Sequence, residues 1–175
     1  MKRSTLVKFK EVVDLIEKYN KIVVLRHSSP DGDAFGSSFG IATWIKDNYP
    51  KKEVYCLGKE DYKNDYFPRT DKVDVKGKYL CIVTDTAILS RCDGIEYYNK
   101  ADKVVKIDHH PEVEKYGDVS IVDYKAMATS YMIGGCLLKE KDKIISPSCA
   151  NIYWLVLLQI VEISLILILI LILLQ

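Results

Sequence analysis

The sequence predicts an α/β fold, a doubly wound and mostly parallel sheet flanked by helices, on three observations. Five short apolar runs recur along the chain, "KIVVLR" (21–26), "EVYCLG" (53–58), "KYLCIVTDT" (78–86), "DKVVKIDHHP" (102–111) and "DVSIVD" (118–123). Their near-continuous β-branched character is that of strands buried on both faces. Segments with helical spacing alternate with them, as βαβ units require. Three of the runs end in histidines and carboxylates, and in open α/β sheets ligands bind beyond the carboxyl ends of the strands.

Each element has its own signal. From Thr5 to Tyr19, Leu6, Phe9, Val12, Val13 and Ile16 recur at helical spacing and predict an amphipathic helix. "KIVVLR" is the first strand. The loop "HSSPDGDAFGS" follows and opens a second helix that runs to about Asn48. "EVYCLG" is the second strand, and a polar, tyrosine-rich loop covers Lys59 to Asp74. The runs at 78–86, 102–111 and 118–123 supply three more strands. "KAMATSYMIGGCLLKE" reads as a further helix.

Composition narrows the function. The 175 residues suit one domain, or one domain and a tail. A hydrophobic fraction of 49% with 28% charged residues fits a globular chain with a sizeable core. A formal net charge of +1 gives no bulk attraction to nucleic acid or to an anionic membrane, so no stable nucleic-acid complex is expected. The five cysteines form no C-x-x-C pair, which points to a reducing, cytoplasmic location. The N-terminus, "MKRSTLVKFKEVVDLIEKY", carries charge throughout and is not read as a signal peptide.

The chemistry gathers at the strand ends. His27, Asp31 and Asp33 follow the first strand, Asp85 ends the third, and Asp108, His109 and His110 end the fourth. These loops hold all 3 histidines of the chain. Taken singly, each signal has an ordinary explanation: PDGD is a good turn sequence, an aspartate after a strand is a common helix cap, and paired histidines are often incidental. Three strand ends that carry such residues together outweigh those readings. His27, Asp31, Asp33, Asp85 and His109 offer three carboxylates and two imidazoles, a set suited to hard or borderline divalent cations. One shared carboxylate would let the set hold two ions roughly 3.5–4 Å apart, the arrangement that clamps a phosphoryl group. Gly32 and Gly36 allow a tight bend and close backbone approach to an anion. The helix start favours phosphate, with Gly36 and Ser37 as candidate substrate contacts.

In this order and spacing, "HSSPDGDAFGS", "IVTDTA" and "IDHHP" resemble the first three motifs of the DHH phosphoesterases, above all the oligoribonuclease and pAp-phosphatase branch, which is similar to RecJ exonucleases. The resemblance covers roughly Thr5 to Ile152. It implies a two-manganese centre, with Mg²⁺ and Co²⁺ as alternatives. His27 and Asp31 would bind one ion, Asp33 and His109 the other, and Asp85 would bridge. His110 would act as a catalytic residue on the phosphate or on the acid/base water, with Asp108 supporting it from behind. The implied substrates are short oligonucleotides and 3′-phosphoadenosine 5′-phosphate, and a homodimer is the expected assembly. Tyr131 stands where relatives commonly carry Glu.

The resemblance also implies a fourth motif, "TDSG" or "TDTG", and then a C-terminal substrate domain, neither of which the sequence contains. A boundary is therefore drawn after Ile152, with an incomplete catalytic domain over 1–152 and an apolar tail over 153–175. The tail has two readings. About 23 apolar residues from Ile152 to Leu174 suffice to span a bilayer. Against an anchor, Glu162 sits mid-span at a cost of roughly 2.5–3.5 kcal/mol. The favoured reading is a frameshift. AT-rich codons for 155–171, read from each third base, can spell "SITTDSGNFFNTNTNT", which restores the fourth motif at its expected place. On that reading the chain hydrolyses little. Membrane contact is expected only if the tail is genuine, which would make the chain an anchored nucleotide-binding or regulatory domain. A pyrophosphatase or polyphosphatase is the other alternative, since it uses the same metal chemistry.

Overall fold

Five strands pair in parallel in the order β2-β1-β3-β5-β6 in the computed structural model, which describes residues 3–58, 73–154 and 156. The strands are β1 (Lys21–His27), β2 (Glu53–Cys56), β3 (Leu80–Thr84), β5 (Lys103–Asp108) and β6 (Val119–Val122). They coincide with the five apolar runs. A short β4 (Cys92–Asp93) adds antiparallel to the end of β1, where Arg26 pairs with Asp93 and His27 with Cys92. Neither β4 nor the one-turn α3 (Ile95–Tyr98) has an apolar period long enough to be read from sequence.

The chain moves from β1 outward to β2, then returns past β1 to β3 and continues to β5 and β6. That reversal makes the sheet doubly wound. Right-handed crossovers running in opposite directions must lie on opposite faces. The β1–β2 crossover is α2 (Gly32–Asn48), which shares one face with α1 (Arg3–Lys18) and α4 (Thr129–Leu137). Their side chains, among them Phe9, Ile16, Trp44, Ile45 and Ile133, pack on Ile22, Val24, Leu80, Ile82, Val105 and Ile107. The other face presents Val23, Leu25, Cys81, Val83 and Val104. It is covered by Leu57, Tyr79, Tyr116 and, partly buried, Tyr97 and Tyr98. Among the described residues the long helices therefore flank one face only, and aromatic residues of short connections close the other.

The expected division after Ile152 does not coincide with a break in packing. A helical segment over 147–154 crosses it, and Val156 is buried against Phe35 and Phe39. Gly36 makes room for it: a Cβ there would lie 2.0 Å from Val156 Cγ2. Gly40 does the same for Tyr153, whose ring would stand 2.4 Å from an added Cβ. Overpacking of this kind typically costs ~1–3 kcal/mol, more than the ~1 kcal/mol that alanine gains over glycine in a helix. The tail beyond, with Glu162 and both readings of it, lies outside the described residues, as does most of the tyrosine-rich loop. No helix among the described residues is long and apolar enough to cross a membrane.

Candidate metal centre

The reversal in strand order falls between β1 and β3, and the seven expected catalytic and metal-binding residues lie in the strand ends, loops and helix start at that end of the sheet. His27 is the last residue of β1. Asp31 caps α2, with its Oδ1 accepting hydrogen bonds from the Asp33 and Ala34 amides at 3.0 Å each. Asp33 lies in the first turn of α2. Asp85 follows β3, and its amide donates to the Ile107 carbonyl at 2.9 Å, which pins it beside β5. Its φ of 51° is left-handed, as is that of Ser29 at 53°. Aspartate tolerates this better than most residues, but it remains sparsely populated backbone of the kind found at functional sites.

The side chains converge around Asp85, which is 2% exposed. Its Oδ2 lies 3.6 Å from His27 Nε2, while its Oδ1 lies 3.7 Å from His109 Nε2 and 3.6 Å from His110 Nδ1. His27 Nε2 is 3.9 Å from Asp31 Oδ1, and His109 Nε2 is 3.6 Å from Asp33 Oδ2. Two groups thus form, His27–Asp31–Asp85 and Asp85–His109–His110, each with ligand atoms within 4.8 Å of one another. Asp85 belongs to both, and Asp33 adjoins the second through His109.

The donor set fits divalent cations. His27 Nδ1 lies 2.8 Å from the Ser28 carbonyl, and His109 Nδ1 lies 3.3 Å from the Ala126 carbonyl. A carbonyl only accepts, so the neutral rings carry their proton on Nδ1 and turn a bare Nε2 lone pair toward carboxylate oxygens. A lone pair that faces a carboxylate across 3.6–3.9 Å is stabilised by positive charge between the two, either a proton or a metal cation. Burial would lower the His27 pKa, but Asp85, the Ser28 carbonyl and Asp31 outweigh it, and the net direction is upward, which favours positive charge at this position. Burial pushes the Asp85 carboxyl up, yet His27, Thr129 and His110 hold it below its ordinary value.

Asp33 goes the other way. Burial and the Asp85 charge push its carboxyl up from 3.8 to about 6, against hydrogen bonds from Ser130 and Thr129. Because the folded state holds this proton more tightly than the unfolded chain, its stabilising contribution is present below pH ~4 and lost as pH rises toward ~6, a change of at most ~3 kcal/mol. A bound cation would remove the penalty. The expected result is an Asp33 carboxyl ¹³C titration with a midpoint near 6, displaced to below 4 by Mg²⁺. A midpoint near 3.8 without metal would show that neither burial nor the Asp85 charge raises the Asp33 carboxyl.

His110 is held from behind: its Nδ1 donates to Asp108 Oδ1 at 2.8 Å, and its side chain is 43% exposed. Asp108 is fully buried. The sequence reading missed what stands behind Asp108. Lys106 is also fully buried, with Nζ 3.9 Å from Asp108 Oδ2. It donates to the carbonyls of Ala87 at 3.1 Å and Glu114 at 3.0 Å, and it lies 4.3 Å from the centroid of the Tyr116 ring. Burial lowers its pKa, while Asp108, Glu112 and Glu114 oppose the shift. An inward-facing lysine in a β-branched run was the available signal. Also missed was the start of α4, where the amides of Thr129 and Ser130 donate to Asp33 Oδ2 and Oδ1 at 2.7 and 2.8 Å.

Two expectations need correction. Gly36 and Ser37 do not face a ligand. Both are buried inside α2, where Gly36 packs under Val156 and Ser37 Oγ lies within hydrogen-bond distance of Ala34 O at 3.2 Å and Thr84 Oγ1 at 3.1 Å. The α2 N-terminus is likewise no open phosphate cradle, because Asp31 already accepts from the Asp33 and Ala34 amides and its carbonyl from Phe35.

A parallel sheet with this order gathers four aspartates, Asp31, Asp33, Asp85 and Asp108, and three histidines, His27, His109 and His110, at its switch point. The chain belongs to the DHH family, whose N-terminal domain matches residues 21–157. Among its relatives, the probable bifunctional oligoribonuclease and PAP phosphatase NrnA of Streptococcus mutans is 36% identical over 148 residues, which cover 83% of this chain and 47% of that protein. The bifunctional oligoribonuclease and PAP phosphatase NrnA of Bacillus subtilis is 36% identical over 135 residues, covering 75% and 42%. The chain thus spans about half the length of the curated relatives it matches. An exopolyphosphatase-related protein from Bacteroides fragilis shares the fold, with a TM-score of 0.67 at 20% identity over 85% of this chain and 48% of that one.

Proposed function

We propose that the chain supplies the metal-binding half of a phosphoesterase acting on short oligonucleotides or on 3′-phosphoadenosine 5′-phosphate. The observation that carries the reading is the placing of His27 Nε2 and His109 Nε2 at 3.6 and 3.7 Å from the two oxygens of the one Asp85 carboxylate. His27 and Asp31 would hold one cation, Asp33 and His109 the other, and Asp85 both. Two Mn²⁺ ions suit this mixed imidazole and carboxylate set, and when bound they supply the Lewis acidity and lowered water pKa that phosphoester hydrolysis needs.

The chain's own residues then have distinct tasks. Asp31 and Asp33 extend a rigid helix start, so their carboxylates are placed before any ion arrives. Asp108 fixes the His110 ring through Nδ1 and leaves Nε2 on its open side to hold a proton at the phosphate or the leaving oxygen. The substrate class rests on the names of the two relatives, both oligoribonuclease and PAP phosphatase.

The test is hydrolysis of a five-nucleotide RNA, of 3′-phosphoadenosine 5′-phosphate and of pyrophosphate in the presence of Mn²⁺. Expected is turnover of the first two that vanishes with EDTA, slower in the 175-residue chain than in a protein of the relatives' length. Preference for pyrophosphate would move the reading to the polyphosphate class. Robust hydrolysis in EDTA would end it.

A further inference from the structure

We propose that Thr129 is a positioning residue of this centre, the group that fixes the plane of the Asp85 carboxylate so that it can serve both halves of the site. The inference rests on the metal reading above.

Thr129 is fully buried and is itself no metal ligand, yet it touches three residues that would be. Its Oγ1 lies 2.9 Å from Asp85 Oδ1 and 3.1 Å from the His109 amide, and its own amide donates to Asp33 Oδ2 at 2.7 Å. The directions of these bonds are determined. The His109 N–H can only donate, so the hydroxyl accepts from it and spends its single proton on Asp85. Asp85 would serve both halves only with Oδ2 turned to His27 and Oδ1 to His109 and His110. The torsion that sets this rotation is a broad sp³–sp² well that does not hold one angle unaided. A hydrogen bond to one named oxygen does hold it.

A helix-capping role does not account for the threonine. The cap of α4 is Ala128, which makes no side-chain bond, and the Thr129 hydroxyl turns away from its own helix toward β3 and β5.

The test compares Thr129→Val, which keeps the shape and the amide but loses the hydroxyl, with Thr129→Ser, which keeps all three bonds. Mn²⁺ affinity of the 175-residue chain is measured by equilibrium dialysis, with circular dichroism as the check on folding. Valine is expected to weaken binding ~10–100-fold, the usual loss when a partner behind a metal ligand is removed. Serine is expected to restore it, which a role in packing alone would not predict. If valine does not fold, Thr129→Ala is the replacement, judged by the same comparison with serine. Wild-type affinity in the valine variant, or a serine variant as weak as valine, overturns the proposal. Absence of Mn²⁺ binding in the wild-type chain would instead overturn the metal reading on which it stands.

Discussion

Replacing Asp85 with asparagine is expected to weaken Mn²⁺ binding by at least ~100-fold, the upper range for groups behind a ligand and so a floor for the shared ligand itself. The fold should survive. Asparagine has the same shape, tolerates the left-handed φ of 51° and still accepts the Thr129 hydroxyl at Oδ1. Its amide nitrogen would replace Oδ2 and offer a proton to the bare His27 Nε2, which meets in the folded chain the need that otherwise falls to a cation. D85N also removes the charge that helps push Asp33 up to about 6, so the Asp33 titration should fall toward its ordinary range in the same variant. Isothermal titration with Mn²⁺ and a melt in EDTA read both effects. Unchanged affinity would show that Asp85 is not shared between the halves.

Lys106→Met is expected to have the largest effect on stability, a loss of about 3 kcal/mol or more, as when one partner of a buried ion pair is removed. The side chain is fully buried, and Asp108 Oδ2 has no hydrogen-bond partner among the described residues, so the Lys106 charge at 3.9 Å is what offsets its burial. Methionine also abandons the Ala87 and Glu114 carbonyls. Those bonds, with Tyr116 donating to Thr86 O and Leu89 N donating to Glu114 Oε2 at 2.7 Å, tie the loop after β3 to the loop after β5. The double variant with Asp108→Asn should recover part of the loss, because the uncompensated carboxylate is gone. Denaturant melts of the single and double variants give the coupling, and additive effects would mean that the two charges do not interact.

The sheet was legible because a parallel strand buried on both faces leaves a near-continuous apolar run, as in β1, β3 and β5. The two shorter runs at 53–58 and 118–123 became the partly exposed edge strands. The helix α1 was legible for the related reason that one buried stripe, Phe9, Val12, Val13 and Ile16, imposes a period, whereas α2 is buried almost all round from Ala34 to Ile45. The seven candidate residues could be picked out because three strand ends carry histidines and aspartates together, although each alone has an ordinary structural explanation. What escaped was whatever depends on a distant neighbour. Gly36 and Ser37 looked like an anion cradle beside PDGD, yet Val156 and Thr84 arrive from far along the chain and turn them into packing positions.

The sequence by itself determined the fold class, the strand ends at which the chemistry gathers and the ligand types that collect there, because burial periodicity and residue chemistry are local properties. Only the tertiary structure decided how those ligands are held. Asp33 receives the Thr129 and Ser130 amides from 96 and 97 residues away, and Lys106 reaches the Ala87 and Glu114 carbonyls across 19 and 8 residues. A hydrogen bond is specified by the meeting of two groups, and that meeting is fixed by the folded chain, not by either group's neighbours in sequence.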